Sequence, residues 1–198
     1  ERGTAIIVNK RWLDGKSYAF RAISERICAL DLDVGGGRYR FICVYMPHAG
    51  YPDAAVEETY EMLSKLISLG RAEGRVIVLG GDWNAVTGKR SEGDDLQCIG
   101  EFGYGARNAR GEWMVRWAAM EKLSIANTRF KKREQYQWTH ERDGSRRQID
   151  FWLVDQSSSG MILDSQACEE ITVGADHRAV RLAIRTGARR RKKRSNKR

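Results

Sequence analysis

The sequence predicts a sheet-rich α+β domain, and three observations support this prediction. Apolar runs of strand length are separated by glycine-rich or polar turns, and most of them follow one another as hairpins. Two longer segments repeat apolar residues at helical spacing. The chain has 198 residues, which is enough for one domain with a sizeable core. Because strands outnumber helices and come mostly in hairpins, layered sheets are favoured over a doubly wound parallel sheet.

Four strands are predicted in the first half of the chain. Residues 4–8 form a compact β-prone run. Residues 26–34 and 39–45 are predicted to pair as an antiparallel hairpin, because three glycines at 35–37 allow a turn between them. Residues 75–79 form a short apolar strand that leads into a polar segment.

Two helices are predicted from apolar residues at three- and four-residue steps. Asp53 is expected to cap the first helix, which ends near Gly70. The second helix is predicted over residues 110–122. Residues 87–105 are interpreted as a long surface loop and residues 155–160 as a polar linker. The apolar stripe of the first helix consists of Val56, Tyr60, Leu63 and Ile67.

The second half of the chain is predicted to add further strands. Residues 124–127 and 179–184 each form a short apolar run. Residues 135–139 and 148–154 are expected to pair as a hairpin around the turn signal Asp143-Gly144.

Positive charge is concentrated at the C-terminus. The formal net charge is +9, but the last ten residues contain eight Lys or Arg and no acid, which leaves about +1 for the other 188 residues. We therefore predict a folded domain over residues 1–186 and a disordered basic tail over 187–198, since such a run cannot bury apolar surface. The tail could bind phosphate backbones or serve as a nuclear import signal, and the alternative is a solvated terminus.

Composition excludes several other classes of protein. No apolar run reaches the roughly 20 residues of a membrane span, so no membrane partner is expected. The four cysteines show no Cys-x-x-Cys spacing, so neither a zinc site nor a disulfide framework is predicted. We expect a reducing compartment, nuclear if the tail acts as an import signal and cytoplasmic otherwise.

Asp82 and Asn84 end a predicted strand two positions apart, so their side chains can point to the same side. The Asp82 carboxylate can activate or orient a water molecule. The Asn84 amide can donate to a phosphoryl oxygen on which negative charge develops. The alternative is a simple turn after a strand, because both residue types favour turns.

Asp150 lies in a strong strand pattern, where a carboxylate requires a partner. His177 is the natural candidate, because a carboxylate fixes the tautomer of an imidazole and raises its pKa. Backbone donors that satisfy a buried Asp150 are the alternative. His177 belongs to the pair Asp176-His177, whereas His48 and His140 are predicted as loop residues at the surface. Oxygen ligands with few histidines favour Mg²⁺ or Mn²⁺ over zinc.

These motifs together resemble the signature of the endonuclease/exonuclease/phosphatase superfamily. The segments that carry the resemblance are residues 44–47, 81–84, 148–151 and 176–177. Residues 108–111, 125–128 and 137–139 are more specifically similar to the endonuclease domain of LINE-type (non-LTR) retrotransposons and to craniofacial development protein 2-like sequences. The resemblance covers essentially residues 3–184.

The resemblance implies a four-layer α/β/β/α sandwich and Mg²⁺-dependent hydrolysis of a phosphodiester that nicks DNA. It implies that Asp82 activates the attacking water, that Asn84 stabilises the transition state, and that both contribute to the metal site. Asp150 would pair with His177, and His177 would contact the scissile phosphate. It also implies DNA as a partner, with a reverse transcriptase domain in a full-length relative.

Three further positions take roles from the same resemblance. Asp176 would help to hold the metal, and Thr139 would lie near the substrate phosphate. Tyr45 would support the phosphate, and plain core packing is the alternative for this side chain.

Two departures from the family pattern are expected to matter. Ala175 stands where the family usually has Ser. The family's metal-binding Glu and an upstream Asn precede the segment that resembles residues 3–10, so we expect the first strands of one sheet to be absent. Ile6, Val8 and Cys43 would then be exposed, stability would be low and Mg²⁺ binding would be weakened.

The sequence therefore leaves open whether the chain is an active enzyme. The first alternative is a catalytically inactive remnant that binds nucleic acid through its tail. The second is a phosphatase or RNase of the same superfamily.

Overall fold

The computed structural model describes residues 3–172 and 176–186, in which ten strands and three α-helices lie. The strands are β1 Tyr18–Ser24, β2 Ile27–Val34, β3 Gly37–Tyr45, β4 Val76–Asp82, β5 Leu123–Ile125, β6 His140–Arg142, β7 Ser145–Arg147, β8 Asp150–Asp155, β9 Ile162–Thr172 and β10 Arg178–Ile184. The helices are α1 Lys10–Leu13, α2 Asp53–Ala72 and α3 Ala109–Met120, with 3₁₀ turns at Ala126–Arg129, Glu134–Tyr136 and Gln156–Met161.

The main sheet has six strands in the order β1-β2-β3-β4-β8-β5, and β9 and β10 form a second, antiparallel sheet. Among the described strands only β3 and β4 pair in parallel, because α2 carries the chain back between them. The two sheets meet where the Trp152 indole of β8 donates a hydrogen bond to the Val180 carbonyl of β10. The predicted α+β fold of packed sheets flanked by helices is confirmed.

One face of the main sheet packs against α2 and α3 and forms the larger core. This face is built from alternate strand residues, as the two-residue period of a strand requires. The predicted stripe of α2 is buried against it. The sheet residues of this core are Ile27, Ala29, Ile42, Val44, Ile77, Leu79, Leu123, Ile125, Phe151 and Leu153.

The opposite face of the main sheet borders an apolar cleft between the two sheets, with a volume of about 510 Å³. Leu30 and Phe41 line the cleft from the main sheet, and Val180 lines it from β10. Ile6, Val8 and Cys43 were expected to be exposed, but they are half-buried and also line this cleft. Residues 4–8 therefore cover part of the sheet as an extended segment, and the predicted strand there is wrong.

Several predicted boundaries differ from the structure for local reasons. Asp53 lies in the first turn of α2 and Pro52 is the N-cap residue, so Asp53 does not cap the helix. The strand predicted at 124–127 stops at Ile125 and continues as a 3₁₀ turn, and the linker at 155–160 contains another such turn. Strands β1 and β9 and helix α1 were not predicted.

The hairpin around Asp143-Gly144 exists, but β6 and β7 form it rather than residues 135–139 and 148–154. Residues Glu134–Tyr136 are a 3₁₀ turn. Strand β8 instead lies inside the main sheet, between β4 and β5. This placement buries both faces of β8, as its nearly continuous apolar sequence requires.

Two sequence-based predictions fall on residues 173–175 and 187–198, which lie outside the described residues. They are the departure from the family pattern at Ala175 and the basic tail. None of the helices in the described ranges has both the length and the apolar character needed to cross a membrane.

Candidate active site

Strands β4 and β8 place two carboxylates opposite each other. Asp82 is the last residue of β4 and Asp150 is the first residue of β8, and the two residues pair directly in the antiparallel register. Directly opposed residues of a sheet project to the same face, so both carboxylates lie together. The preceding Gly81 has φ 155°, and a Cβ atom there would lie 1.8 Å from the carbonyl oxygen of Val44. Only glycine lets β4 approach β3 this closely at the site.

His177 joins the two carboxylates from the start of β10. Its Nδ1 lies 3.0 Å from Asp150 Oδ2 and 3.2 Å from Oδ1, and its Nε2 lies 4.0 Å from Asp82 Oδ2. The hydrogen bond to Asp150 is the largest of the effects that raise the pKa of His177 above its usual value. The predicted contact between Asp150 and His177 is therefore present, and Asp82 completes the group. We refer to Asp82, Asp150 and His177, for which a catalytic role is proposed below, as the catalytic group.

Burial and the charge of Asp150 raise the pKa of Asp82 to about 6. The Asp82 side chain is 16% exposed and that of Asp150 is 17% exposed, so solvent screens their repulsion poorly. A cation bound between them would relieve this repulsion. Carboxylate oxygens in this arrangement fit Mg²⁺ or Mn²⁺.

Asn84 holds the loop after β4 in an unusual conformation. Its φ is 48°, in the left-handed region that Asn tolerates better than most residues. The Asn84 backbone N–H donates to Asp82 Oδ1 at 2.8 Å, and its side-chain amide donates to the Met46 carbonyl at 2.8 Å. Asn84 therefore fixes the orientation of Asp82 and ties it to the loop after β3.

Tyr45 and Asp176 lie at the border of the catalytic group. Tyr45 ends β3 in parallel register with Asp82, and its half-buried ring lies under the guanidinium of Arg26 at 5.2 Å. Asp176 is half-exposed and accepts a contact from His140 Nε2 at 3.2 Å. Both residues are close enough to the catalytic group to take part in binding a phosphate or a cation.

Thr139 has a different position from the one that the resemblance implied. Its side chain is fully buried, and its hydroxyl oxygen accepts hydrogen bonds from the backbone N–H groups of Ile149 at 3.0 Å and Asp150 at 3.1 Å. A hydroxyl in this position is shielded from a substrate phosphate. Thr139 is a positioning residue that fixes the start of β8 and so the carboxylate of Asp150.

Replacement of Thr139 tests this positioning role. Thr139→Val keeps the volume of the side chain but leaves two buried N–H groups without an acceptor, so we expect a loss of about 1–3 kcal/mol in the free energy of unfolding. Chemical denaturation measures this loss, and Thr139→Ser, which keeps the hydroxyl, is the matched control. Equal stability of the valine and serine variants would show that the two hydrogen bonds are unimportant.

The sequence reasoning missed two residues next to the catalytic group. His140 was predicted at the surface, but its side chain is only 13% exposed and its ring lies 4.7 Å from that of His177. Arg178 places its guanidinium 3.1 Å from the ring centroid of Trp138 and lines the apolar cleft. Their positions directly after Thr139 and His177 were the available signal.

Comparisons with known proteins agree with this architecture. No family model matches the chain. Craniofacial development protein 2 of Tragulus javanicus is 27% identical over 178 residues, which cover 89% of this chain and 30% of that protein. The chain thus spans less than a third of the length of this curated relative.

Solved structures match the chain over a larger share of their own length than this relative does. The endonuclease domain of TRAS1, a telomere-specific non-LTR retrotransposon, superposes with a TM-score of 0.60 and 16% identity over 86% of this chain and 69% of that chain. The chain has the endonuclease/exonuclease/phosphatase fold. The 3'-5' exonuclease NExo from Neisseria meningitidis has the same fold, with a TM-score of 0.59 and 16% identity over 86% of this chain and 70% of its own. NExo described as a 3' phosphatase and bound to a product DNA hairpin gives a TM-score of 0.61 at 16% identity, over 85% of this chain and 70% of that chain.

The pairing of the strands explains where Asp82, Asp150 and His177 lie. In this chain the carboxylates of Asp82 and Asp150 are on the face of the main sheet that looks toward β10, and β10 begins beside His177. The site therefore lies at one end of the interface between the two sheets. The comparisons confirm the predicted fold.

The raised pKa of Asp82 has a consequence for stability. A carboxyl whose folded pKa lies above its unfolded value binds more protons in the folded state, so stability falls as the pH rises from about 4 to about 6. We expect Asp82→Asn to remove this fall and to raise the free energy of unfolding at pH 7 by about 1–3 kcal/mol in the absence of divalent cations. Urea denaturation at pH 4, 5, 6 and 7 measures this free energy. The control is Asp33→Asn, which lies at the opposite end of the sheet. If the free energy of unfolding changed with pH in the same way in Asp82→Asn and in the unsubstituted chain, the raised pKa would not belong to Asp82.

Proposed function

We propose that this domain is a Mg²⁺- or Mn²⁺-dependent DNA endonuclease that hydrolyses one phosphodiester and leaves a nick with a 3'-hydroxyl. The observation that carries the proposal is the catalytic group, in which two carboxylates from β4 and β8 and the imidazole that precedes β10 meet at one end of the interface between the sheets. Such a combination supports hydrolysis, because it provides both an acceptor for the proton of water and a donor to the phosphate.

In the proposed reaction Asp82 accepts a proton from the attacking water. Its raised pKa places it near the pH at which a general base works well. Asn84 keeps the Asp82 carboxylate in a single orientation through the N–H bond to Oδ1. Protonated His177 faces the phosphate with Nε2, and Asp150 stabilises this charge through Nδ1.

A divalent cation would be held at the edge of this group, with Asp82, the amide oxygen of Asn84 and Asp176 as its proposed ligands. When bound, the cation neutralises charge on the phosphate and lowers the pKa of water. Tyr45 is proposed to support the phosphate from the end of β3. Thr139 acts indirectly, because its hydroxyl holds the backbone of Asp150.

DNA is the proposed substrate because basic and aromatic side chains surround the catalytic group. Arg146 and Arg178 enclose the ring of Trp138 at 4.7 and 3.1 Å. The β6–β7 hairpin exposes Arg142 and Arg147 beside them. Guanidinium groups next to a phosphate-binding site favour an extended polyanion over a small phosphate ester.

A plasmid nicking assay tests the proposal. We expect the unsubstituted chain to convert supercoiled DNA to open circles in Mg²⁺ or Mn²⁺ but not in chelator, and Asp82→Ala to lose this activity. Asp33→Asn is the control for charge at a distant position. Activity that survives Asp82→Ala would mean that the catalytic group has been misassigned or that another nuclease is present.

The likeness to NExo makes a second reaction worth testing in the same experiment. Oligonucleotides with a 3'-phosphate and an RNA strand distinguish a phosphatase or RNase from an endonuclease. Release of phosphate without nicking would show that the substrate is a terminal 3'-phosphate and not an internal phosphodiester. The catalytic group would still be the proposed site of the reaction. DNA binding without any turnover would support the inactive alternative.

A further inference from the structure

His140, Asp176 and His177 form a cluster of possible metal ligands that the proposed reaction does not use as a unit. One nitrogen of each imidazole and one carboxylate oxygen of Asp176 all lie within 4.8 Å of one another. His140 Nε2 and Asp176 Oδ2 are 3.2 Å apart, and the two imidazole rings are 4.7 Å apart at 67°. We refer to these three residues as the His-Asp-His cluster.

Backbone hydrogen bonds hold the elements of this cluster together. His140 and His177 form an antiparallel β-bridge. On one side of the bridge Glu141 N–H donates to the Asp176 carbonyl at 2.9 Å, and on the other Arg178 N–H donates to the Thr139 carbonyl at 2.7 Å. The three side chains are therefore brought together by regular pairing rather than by chance contact of flexible loops.

The chemistry of the cluster differs from that of a magnesium site. Two imidazoles and one carboxylate are ligands that Zn²⁺ and related transition metals prefer, whereas Mg²⁺ prefers oxygen alone. Zinc–ligand bonds of about 2.0–2.1 Å place neighbouring ligands of a tetrahedral site roughly 3.4 Å apart. The 3.2 Å separation of His140 Nε2 and Asp176 Oδ2 is close to this value, and one nitrogen of His177 lies within 4.8 Å of a ligand atom of each residue.

The surroundings of both imidazoles favour a metal. Asp150 accepts the hydrogen bond of His177 Nδ1, which leaves Nε2 with its lone pair free, as in the carboxylate–histidine–metal arrangement of many zinc sites. His140 Nε2 already lies 3.2 Å from Asp176 Oδ2, so a cation bound between them would bond to both atoms.

We propose that the His-Asp-His cluster binds a single Zn²⁺ ion and that this ion inhibits the domain. The proposal that zinc binds depends only on the His-Asp-His cluster. Inhibition rests on the proposed function, because zinc would occupy the nitrogen of His177 that is proposed to face the phosphate. The carboxylates of Asp82 and Asp150 add negative charge that attracts a dication to the same place.

Metal binding is tested on the full, reduced chain with Co²⁺ as a spectroscopic substitute for Zn²⁺ and with Zn²⁺ by calorimetry. We expect one site per chain with visible absorption bands typical of nitrogen and oxygen ligands. His140→Gln can still donate to Asp176 but offers no imidazole, and we expect the dissociation constant to rise at least about tenfold. His48→Gln, in the exposed loop after β3, is the matched control, and circular dichroism checks that each variant is folded.

Two results would overturn the proposal. One is binding by His140→Gln with the same affinity as the unsubstituted chain. The other is a thiolate charge-transfer band, which would assign the metal to cysteine. In Mg²⁺-dependent nicking, we expect Zn²⁺ to inhibit the unsubstituted chain at concentrations that leave His140→Gln active. If no chain nicks DNA, the proposed function fails while the binding measurements still decide the metal site.

Discussion

His177→Ala is expected to reduce nicking by about 10²–10⁴-fold, the usual contribution of a positioned acid or base. The physical reason is that His177 is the only cationic side chain in the catalytic group, between Asp150 at 3.0 Å and Asp82 at 4.0 Å. Asp150→Asn should cause a loss of similar order, because an amide cannot stabilise the imidazolium and can favour the wrong tautomer. Turnover on plasmid DNA at saturating Mg²⁺ measures both effects.

The pH dependence of the reaction provides an internal check on the same prediction. Activity should fall as the pH drops below about 6, where Asp82 gains a proton, although a bound cation moves this limb to lower pH. It should also fall as the pH rises through the pKa of His177, which lies above its usual value. Asp33→Asn should show the full rate and the same profile. A His177→Ala variant that keeps more than about a tenth of the activity would remove His177 from the mechanism.

Asp31→Ala is expected to lower the free energy of unfolding by about 3–5 kcal/mol, because it removes the buried carboxylate that pairs with the buried Arg40 and leaves only the more exposed Glu73 as an acidic contact. Arg40 is 1% exposed and Asp31 is 2% exposed. Arg40 Nε lies 2.7 Å from Asp31 Oδ1, and a terminal guanidinium nitrogen lies 2.9 Å from Oδ2. Arg40 also donates to the Leu66 carbonyl of α2 at 3.0 Å, so the pair joins the main sheet to the helix.

Chemical denaturation at neutral pH measures this loss, and Asp53→Ala is the matched control. Asp53 pairs with Arg110 at 2.8 Å but is 76% exposed, so its replacement should change stability by less than about 1 kcal/mol. Burial alone would raise the pKa of Asp31, but hydrogen bonds from Arg40 and Arg21 outweigh burial and lower it. Its contribution should therefore be present above about pH 4 and be lost at lower pH. Equal effects of Asp31→Ala and Asp53→Ala would contradict the importance of the buried pair.

Local patterns in the sequence predicted most elements, but they did not predict how strands that are distant in the sequence pair. The glycine turn at 35–37 and the stripe of α2 are local signals, and both elements lie where predicted. The partners of β8 depend on contacts with β4, about seventy residues earlier, which no local period encodes. Strand β1 was missed because every residue in it is exposed, so no clear apolar alternation marks it.

The catalytic group could be predicted more completely than its surroundings. Acidic residues within apolar strands are costly without a partner, and this argument alone selected Asp150 and its contact with His177. The burial of Thr139 and the approach of His140 depend on the short β6–β7 hairpin, whose strands are too brief to show a period. The Asp31–Arg40 pair was likewise missed, although opposite charges in two strands of one predicted hairpin were a usable signal.

The central claim is that Asp82, Asp150 and His177 meet in one pocket, and NMR titration of the imidazole protons tests it without requiring activity. The chain has three histidines, so His177 can be assigned by replacement of the other two. We predict a pKa for His177 above its ordinary value in the unsubstituted chain and a clearly lower one in Asp150→Asn, with the signals of His48 unchanged. Titration of His177 that is the same in both proteins would mean that the imidazole and the carboxylate do not meet.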